Sequence, residues 1–350
     1  TPTAISFSEL SGRMPVSAGE AAFVKKGFDS NSLALLIGLM VILSGVVASA
    51  TIAIGSAGYL STFFELPREL LITIVILVMG LTAIWGILES VLLAALFTLI
   101  EAGGLIALII FGFGSEATEW DRIHDIIPPL NDLPVLIGVL NASVLAVFAF
   151  IGFEDMVNVS EETKNPKRNM PIGILLTILI TTVLYSLVAT VAVLTVDPVQ
   201  LAQSDAPLTM VFEQVSTISP SLISAIAIFA TANTILVQFI MASRVIYGLA
   251  AQNESMKPLA HVNPITRTPI RASLIVIAIT LTLALAFDLE NLAEMASRLM
   301  LVIWTFINLA LVRIKMKGIT APEGALVVSI WVPALGAILC ILFVIISLFV

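Results

Sequence analysis

Apolar windows long enough to enter a bilayer recur along this chain at 32 to 60, 70 to 88, 91 to 113, 134 to 153, 171 to 196, 220 to 250, 270 to 288, 291 to 313 and 325 to 349. About 20 apolar residues cross a hydrocarbon core of about 30 Å, so the pattern predicts nine membrane spans. The runs are read as helices, because an outer-membrane strand alternates apolar and polar positions over only about ten residues. The longest connection on the outer side covers 198 to 219, and Ala206 to Val215 within it is expected to form a short helix lying over the bundle. Thr1 to Leu10 are small and apolar but too few to span, so they read as the tail of an earlier helix. With Val350 following an apolar run directly, the sequence is expected to be a fragment of a longer protein.

Composition sharpens the membrane reading. Hydrophobic residues make up 59% and charged residues 11%, against roughly 25% charged in soluble domains. The Lys and Arg residues fall in or beside one alternate set of loops, at 12 to 31, 154 to 170, 251 to 269 and 314 to 324, except for Arg68, Arg122 and Arg298. Positive charge marks the cytoplasmic side, so these four loops are expected to face the cytoplasm of a multi-pass protein in the cell (cytoplasmic) membrane. The asymmetry also checks the span count, since one helix more or less would scramble it. The net charge of −8 comes largely from the other side, where Glu116, Glu119, Asp121, Asp125 and Asp132 share a loop with Arg122. That loop is a solvated acidic surface or a vestibule that gathers cations. Nothing suggests a soluble insertion, so residues 1 to 350 are taken as a single transmembrane transporter domain.

One span ends unlike the rest. Phe148-Ala149-Phe150-Ile151-Gly152-Phe153-Glu154 closes the fourth window with a glycine, flanking aromatics and an acid, and runs on to Glu161-Glu162-Thr163-Lys164-Asn165-Pro166-Lys167-Arg168-Asn169-Met170-Pro171. Such an ending predicts a helix that breaks at membrane depth. Exposed backbone groups there cost several kcal/mol each unless something satisfies them, and broken helices build the binding sites of secondary transporters.

This break with its loop resembles the sixth helix and following loop of the amino acid, polyamine and organocation (APC) transporter superfamily. Further landmarks follow in order: Ser6-Phe7-Ser8-Glu9-Leu10 with Arg13-Met14-Pro15 and Ala18-Gly19, then Gly58-Tyr59-Leu60, Phe97-Thr98-Leu99-Ile100-Glu101, and Ser243-Arg244-Val245-Ile246-Tyr247. The resemblance covers nearly the whole chain. It implies an all-α, LeuT-like fold of inverted repeats, truncated here, with the first helix and most of the second absent. It also implies that carbonyls of Phe148, Ala149 and Ile151 receive the amino group of a substrate. On the residues alone, Gly152 can adopt backbone angles that others resist, and Phe148, Phe150 and Phe153 would wall the site. The plainer alternative is an ordinary helix whose aromatics pack against lipid or neighbours and whose glycine permits close helix contact.

Two acids stand in or beside spans, where ionisable groups are expensive and functional by default. Glu101 lies inside the 91 to 113 window, and is either a proton carrier or a structural acid linking two helices. Some members of the superfamily carry a lysine in this part of the fifth helix, so Glu101 departs from a lysine-based scheme. Glu154 follows the break directly, and reads as a gating or proton-linked residue or as an anchor for the lower half-helix. Ser44, Gly45 and Ser49 lie roughly on one helix face; by superfamily position they look into the pocket, and small residues also serve tight packing. Thr231, Asn233, Thr234 and Gln238 read as polar glue between helices or as lining of the path.

Other classes find little support. There is no His-Glu-x-x-His pair and no Gly-x-Ser-x-Gly elbow, so no enzyme is expected. His124 and His261 are far apart and Cys340 is the one cysteine, so neither a metal site nor a cofactor is expected. An acidic balance without a basic face argues against nucleic acid. The sequence therefore leads to a permease that moves an amino acid or related amine by alternating access, with protons as the coupling ion. An exchanger without net ion movement and a transporter-like solute sensor are the alternatives.

Overall fold

The computed structural model describes residues 1–16, 19–85, 91–126, 131–251, 258–266 and 268–349, and its regular elements are helical. They are α1 (Pro2–Arg13), α2 (Gly19–Phe28), α3 (Asn31–Leu60), α4 (Arg68–Trp85), α5 (Val91–Gly114), α6 (Leu133–Phe148), α7 (Pro166–Thr195), α8 (Pro198–Gln203), α9 (Pro207–Val215), α10 (Ser221–Ala251), α11 (Ile270–Ala286), α12 (Leu289–Met316) and α13 (Trp331–Phe349), with 3-10 segments at Trp120–Ile126 and Glu154–Glu162. Among the described residues seven helices are long and apolar enough to cross a membrane, and α6 and α11 are shorter apolar helices. Each of the nine windows therefore holds one helix. The chain is a multi-span helical membrane protein.

Three window edges are corrected. The window at 134 to 153 is helical only to Phe148. The last one begins at Trp331 and not at 325, because Gly324 takes φ +80 and the residues after it run without helix. The fifth begins at Pro166 and not at 171. Asn165 takes φ +49, a region that Asn tolerates better than most residues, and Pro166 needs no N–H at the first helical position. Pro171 inside α7 frees the Lys167 carbonyl, which lies against Gly12 of α1. The end of the second window, residues 86 to 88, lies outside the described residues. The expected short helix over 206 to 215 is α9.

The helices gather into two compact units, each built from separate stretches of chain. One comprises Thr1–Ser44, Asn131–Val183 and Glu294–Val350; the other comprises Gly45–Leu130 and Leu184–Ala293. In the first unit α1 packs on α13 and on the 3-10 segment Glu154–Glu162, which α2 also touches. Its core holds Phe7, Phe23, Phe153, Trp304, Ile307 and Leu311. In the second unit α10 packs on α4, α5, α9 and α11, and a satellite core forms around Leu108, Val191, Val211 and Phe212. Outward faces are apolar as well: Leu176, Leu179, Ile180 and Val183 of α7 are exposed. Water would penalise such a surface, whereas hydrocarbon accepts it.

A buried ion cluster ties the first unit together. Glu9 is fully buried, and its Oε1 accepts from Arg13 and from Lys315 Nζ at 2.7 and 2.6 Å. Its Oε2 accepts from the Val328 N–H at 2.9 Å. The spare donors of the two cations find the carbonyls of Ile319 and Val328. Beside it, Asn308 of α12 donates to Thr3 Oγ1 and accepts from Ser6 Oγ, stitching α1 to α12 through side chains. The close approach of α2 to α12 depends on Gly27, where a Cβ would lie 2.7 Å from Ala310 Cα.

Candidate functional site

α6 opens with Pro134 in its first turn and is apolar apart from Asn141 and Ser143, then stops at Phe148. Three tightened turns follow, in which the N–H groups of Ala149, Phe150 and Ile151 donate to the carbonyls of Ala146, Val147 and Phe148. Gly152 then takes φ +119, a conformation open to glycine and strained for residues with a Cβ. The chain continues as a 3-10 segment from Glu154. A continuous helix through Asp155 would have contradicted the expected break, and the backbone is interrupted where the glycine and acid stand.

Phe153 anchors the lower side of the interruption. Its ring meets Phe7 edge-on at 5.5 Å between centroids and Trp304 at 5.4 Å. A cavity of about 380 Å³ opens beside the break, with Val147, Phe150 and Phe153 in its wall opposite Thr3, Trp304 and Cys340. Ligand pockets usually measure roughly 300–1,000 Å³, so it has room for one small molecule. Phe150 is the residue of the expected binding set that lines it.

Glu154 is buried at 3% exposure, and its Oε2 has no hydrogen-bond partner among the described residues. Burial pushes its carboxyl well above the usual range, Asp155 and Glu20 push it further, and its own backbone amide with that of Gly152 act in the opposite sense. The charge of Glu154 is thereby linked to the backbone of the break.

The remaining expected residues are distributed as follows. Phe148, Ala149, Phe150, Ile151, Gly152, Glu154 and Ser44 belong to the first unit, and Gly45, Ser49 and Glu101 to the second. Ser44 is buried with its hydroxyl unpartnered among the described residues. Ser49 turns its hydroxyl back onto the Gly45 carbonyl at 2.8 Å, and the Gln238 side chain of α10 occupies the space above Gly45. Thr231 donates to Ser56 at 2.9 Å, a bond between side chains that joins α10 to α3. Glu101 is half-buried on α5, its Oε1 unpartnered among the described residues, with the Tyr185 phenol of α7 within electrostatic range. Glu119 and Arg122 of the acidic loop, with Asp197, Gln200 and Gln214, surround a polar hollow of about 600 Å³.

Sequence reasoning missed Glu20. It lies in a loop rich in Lys and therefore reads as solvated, yet Glu20, Phe23, Val24 and Gly27 are all buried on α2. Their spacing of three and four residues is one helix face, and that periodicity was the available signal.

The Amino acid permease family model matches residues 1–350. The chain belongs to that family. Among curated relatives, the permease is 26% identical over 343 residues to human cationic amino acid transporter 4, covering 92% of this chain and 53% of that protein. It is 25% identical over 375 residues to the branched-chain amino acid permease BcaP of Bacillus subtilis, covering 99% of this chain and 77% of the relative. It thus spans about half the length of several relatives it matches, 53% and 52% for two of them. A crystal structure of the Eremococcus coleocola manganese transporter, in complex with an aromatic bis-isothiourea substituted compound, shares the fold. The TM-score is 0.62 at 15% identity, over 99% of this permease and 77% of that chain.

Proposed function

We propose that this permease is the core of a LeuT-like secondary active transporter that carries an amino acid or related amine across the cytoplasmic membrane by alternating access, coupled to protons. The observation that carries the reading is the interruption after Phe148, where Gly152 at positive φ adjoins the buried Glu154. Family membership supports a transported solute. The names of the relatives, cationic amino acid transporter and branched-chain amino acid permease, support an amino acid without choosing its side chain.

In this reading the carbonyls of Ala149 and Ile151, which take no part in the three tightened turns, receive the ammonium group. The Phe148 carbonyl already accepts from the Ile151 N–H and offers its remaining lone pair. Phe150 covers the ligand, and Ser44 completes the substrate-binding set within the first unit. Residues 1 to 350 then form a single transport domain. The decisive experiment is uptake of radiolabelled L-leucine and L-arginine by the full-length protein in liposomes under an imposed pH gradient. Gradient-driven accumulation of either supports proton-coupled transport, whereas counterflow alone from preloaded vesicles would replace it by exchange.

Glu101 is the second coupling candidate, since a half-buried acid with an unpartnered oxygen has few structural uses. Glu101→Gln is expected to flatten the pH dependence of uptake while leaving substrate-induced thermal stabilisation in place. An unaltered pH profile would remove Glu101 from the mechanism.

The loops at 12 to 31, 154 to 170, 251 to 269 and 314 to 324 face the cytoplasm in this reading, with residues 17, 18, 252–257 and 267 outside the described set. Because Cys340, the one cysteine among these 350 residues, is buried, it does not compete with a cysteine introduced at an exposed position. A cysteine at exposed Lys167 is expected to react with a membrane-impermeant maleimide only after the inner face is opened, and one at exposed Glu119 from outside. The reverse pattern would invert the topology.

A further inference from the structure

Glu20 and Glu154 come from segments far apart in sequence, yet both belong to the first unit, where α2 packs on the 3-10 segment. The contact is tight at the start of α2: a Cβ on Gly19 would lie 2.7 Å from Val157 Cγ2. Each carboxyl is buried at 3% exposure, and each leaves one oxygen, Glu20 Oε1 and Glu154 Oε2, without a hydrogen-bond partner among the described residues. Two buried acids in electrostatic contact, each with an orphaned oxygen, are a costly arrangement if both are ionised.

The neighbouring charges offer no neutralisation. On the 3-10 segment, half-buried Asp155 adds negative charge to both carboxyls. From α1, Glu9 and Arg13 face this region but are committed to each other and to Lys315. Lys25 and Lys26 of α2 are exposed, and Arg313 of α12 binds the Gly27 carbonyl and stacks on Phe28. Among the described residues no group of three or more His, Cys, Asp or Glu is arranged to hold a metal ion. A proton added to one carboxylate removes a charge from the pair and turns one acceptor oxygen into an O–H donor.

We propose that Glu20 and Glu154 form one proton-binding site that joins α2 to the break in α6, with Glu20 as a coupling residue in its own right. The coupling role rests on the transporter reading above; the shared proton does not. Proton uptake from water turns one carboxylate into a carboxyl, and release restores it. Because the Gly152 amide acts on Glu154, each exchange alters how firmly the break is held. Burial foremost, with Asp155, raises the Glu20 carboxyl from 4.5 to about 8, so the proton is exchanged near neutral pH.

The sign of the pH effect follows. A folded-state value above the unfolded one means that the folded protein holds the extra proton between pH 4.5 and about 8, so stability falls as pH rises through that window. Thermal unfolding of the full-length protein in detergent, without substrate, is the first measurement. The wild type is expected to lose stability across the window, Glu20→Gln to lose part of that slope because Glu154 stays buried, and Glu20→Asp to retain it. In Glu20→Gln/Glu154→Gln, the loss of slope is expected to fall short of the sum of the two single losses, since interacting carboxyls titrate as a pair. An unchanged slope in Glu20→Gln, or slopes that add in the double variant, overturns the shared site.

Liposome uptake of radiolabelled L-leucine and L-arginine is the second measurement. A wild type that transports one of them, and a Glu20→Gln variant that transports it without pH dependence, support the coupling role. The same pH profile in both proteins overturns that role. If the wild type moves neither compound in any pH gradient, the transporter reading fails, while the unfolding slopes still decide the proton site.

Discussion

Gly152→Ala is expected to suppress uptake by roughly 5- to 150-fold while the protein still folds and reaches the membrane. The φ of +119 at this position costs a residue with a Cβ about 1–3 kcal/mol, and 1–3 kcal/mol corresponds to roughly 5- to 150-fold in a conformational equilibrium. No atom lies within 4 Å of where the Cβ would stand, so the penalty is conformational and not a clash. The backbone escapes it by turning back toward helix, which removes the interruption whose Ala149 and Ile151 carbonyls receive the substrate in this reading. Gly138, within α6, also has open space around it and no positive φ, so Gly138→Ala is the control and is expected to transport normally. Equal uptake by the two variants would show that the interruption is not where the substrate binds.

Glu9→Gln is expected to destabilise the fold more than any of the other substitutions. Glu9 neutralises Arg13 and Lys315, whose side chains are only 7% and 10% exposed. Removing one partner of a buried ion pair costs about 3–5 kcal/mol, because the other charge remains in low dielectric with nothing to answer it. The glutamine also loses the charge-assisted bond from the Val328 N–H, which holds the connection before α13. Thermal unfolding in detergent should show a large fall in midpoint and a low yield. Breaking the exposed pair of Glu294 and Arg298 by Glu294→Gln should cost about 0.2–1 kcal/mol. If Glu9→Gln unfolds with the wild type, the cluster does not hold α1 to α12.

These two positions illustrate different degrees of legibility. Gly152 was visible in the sequence because its signal is local: a glycine between aromatics, followed by an acid, at the end of an apolar window. Glu9 was visible only as a landmark of resemblance, since its partner Lys315 is 306 residues away. The charged loop around Glu20 misled in the opposite direction. Its Lys residues belong to the solvent face of α2, while the acid belongs to the face that packs inward, and a count of charges does not separate the two.

The sequence by itself determined the nine apolar windows that each hold a helix and the point at which one of those helices breaks. Hydropathy over about 20 residues and the backbone freedom of a single glycine are properties of contiguous chain. Only the tertiary structure decided which acids are paired, which are left with orphaned oxygens, and which ones meet. Glu9 finds two cations and an amide, whereas Glu20 and Glu154 are buried where α2 packs on the 3-10 segment, each with an oxygen unpartnered among the described residues. The free energy of a buried charge depends on what surrounds it in three dimensions, and those neighbours arrive from distant parts of the chain only when it folds.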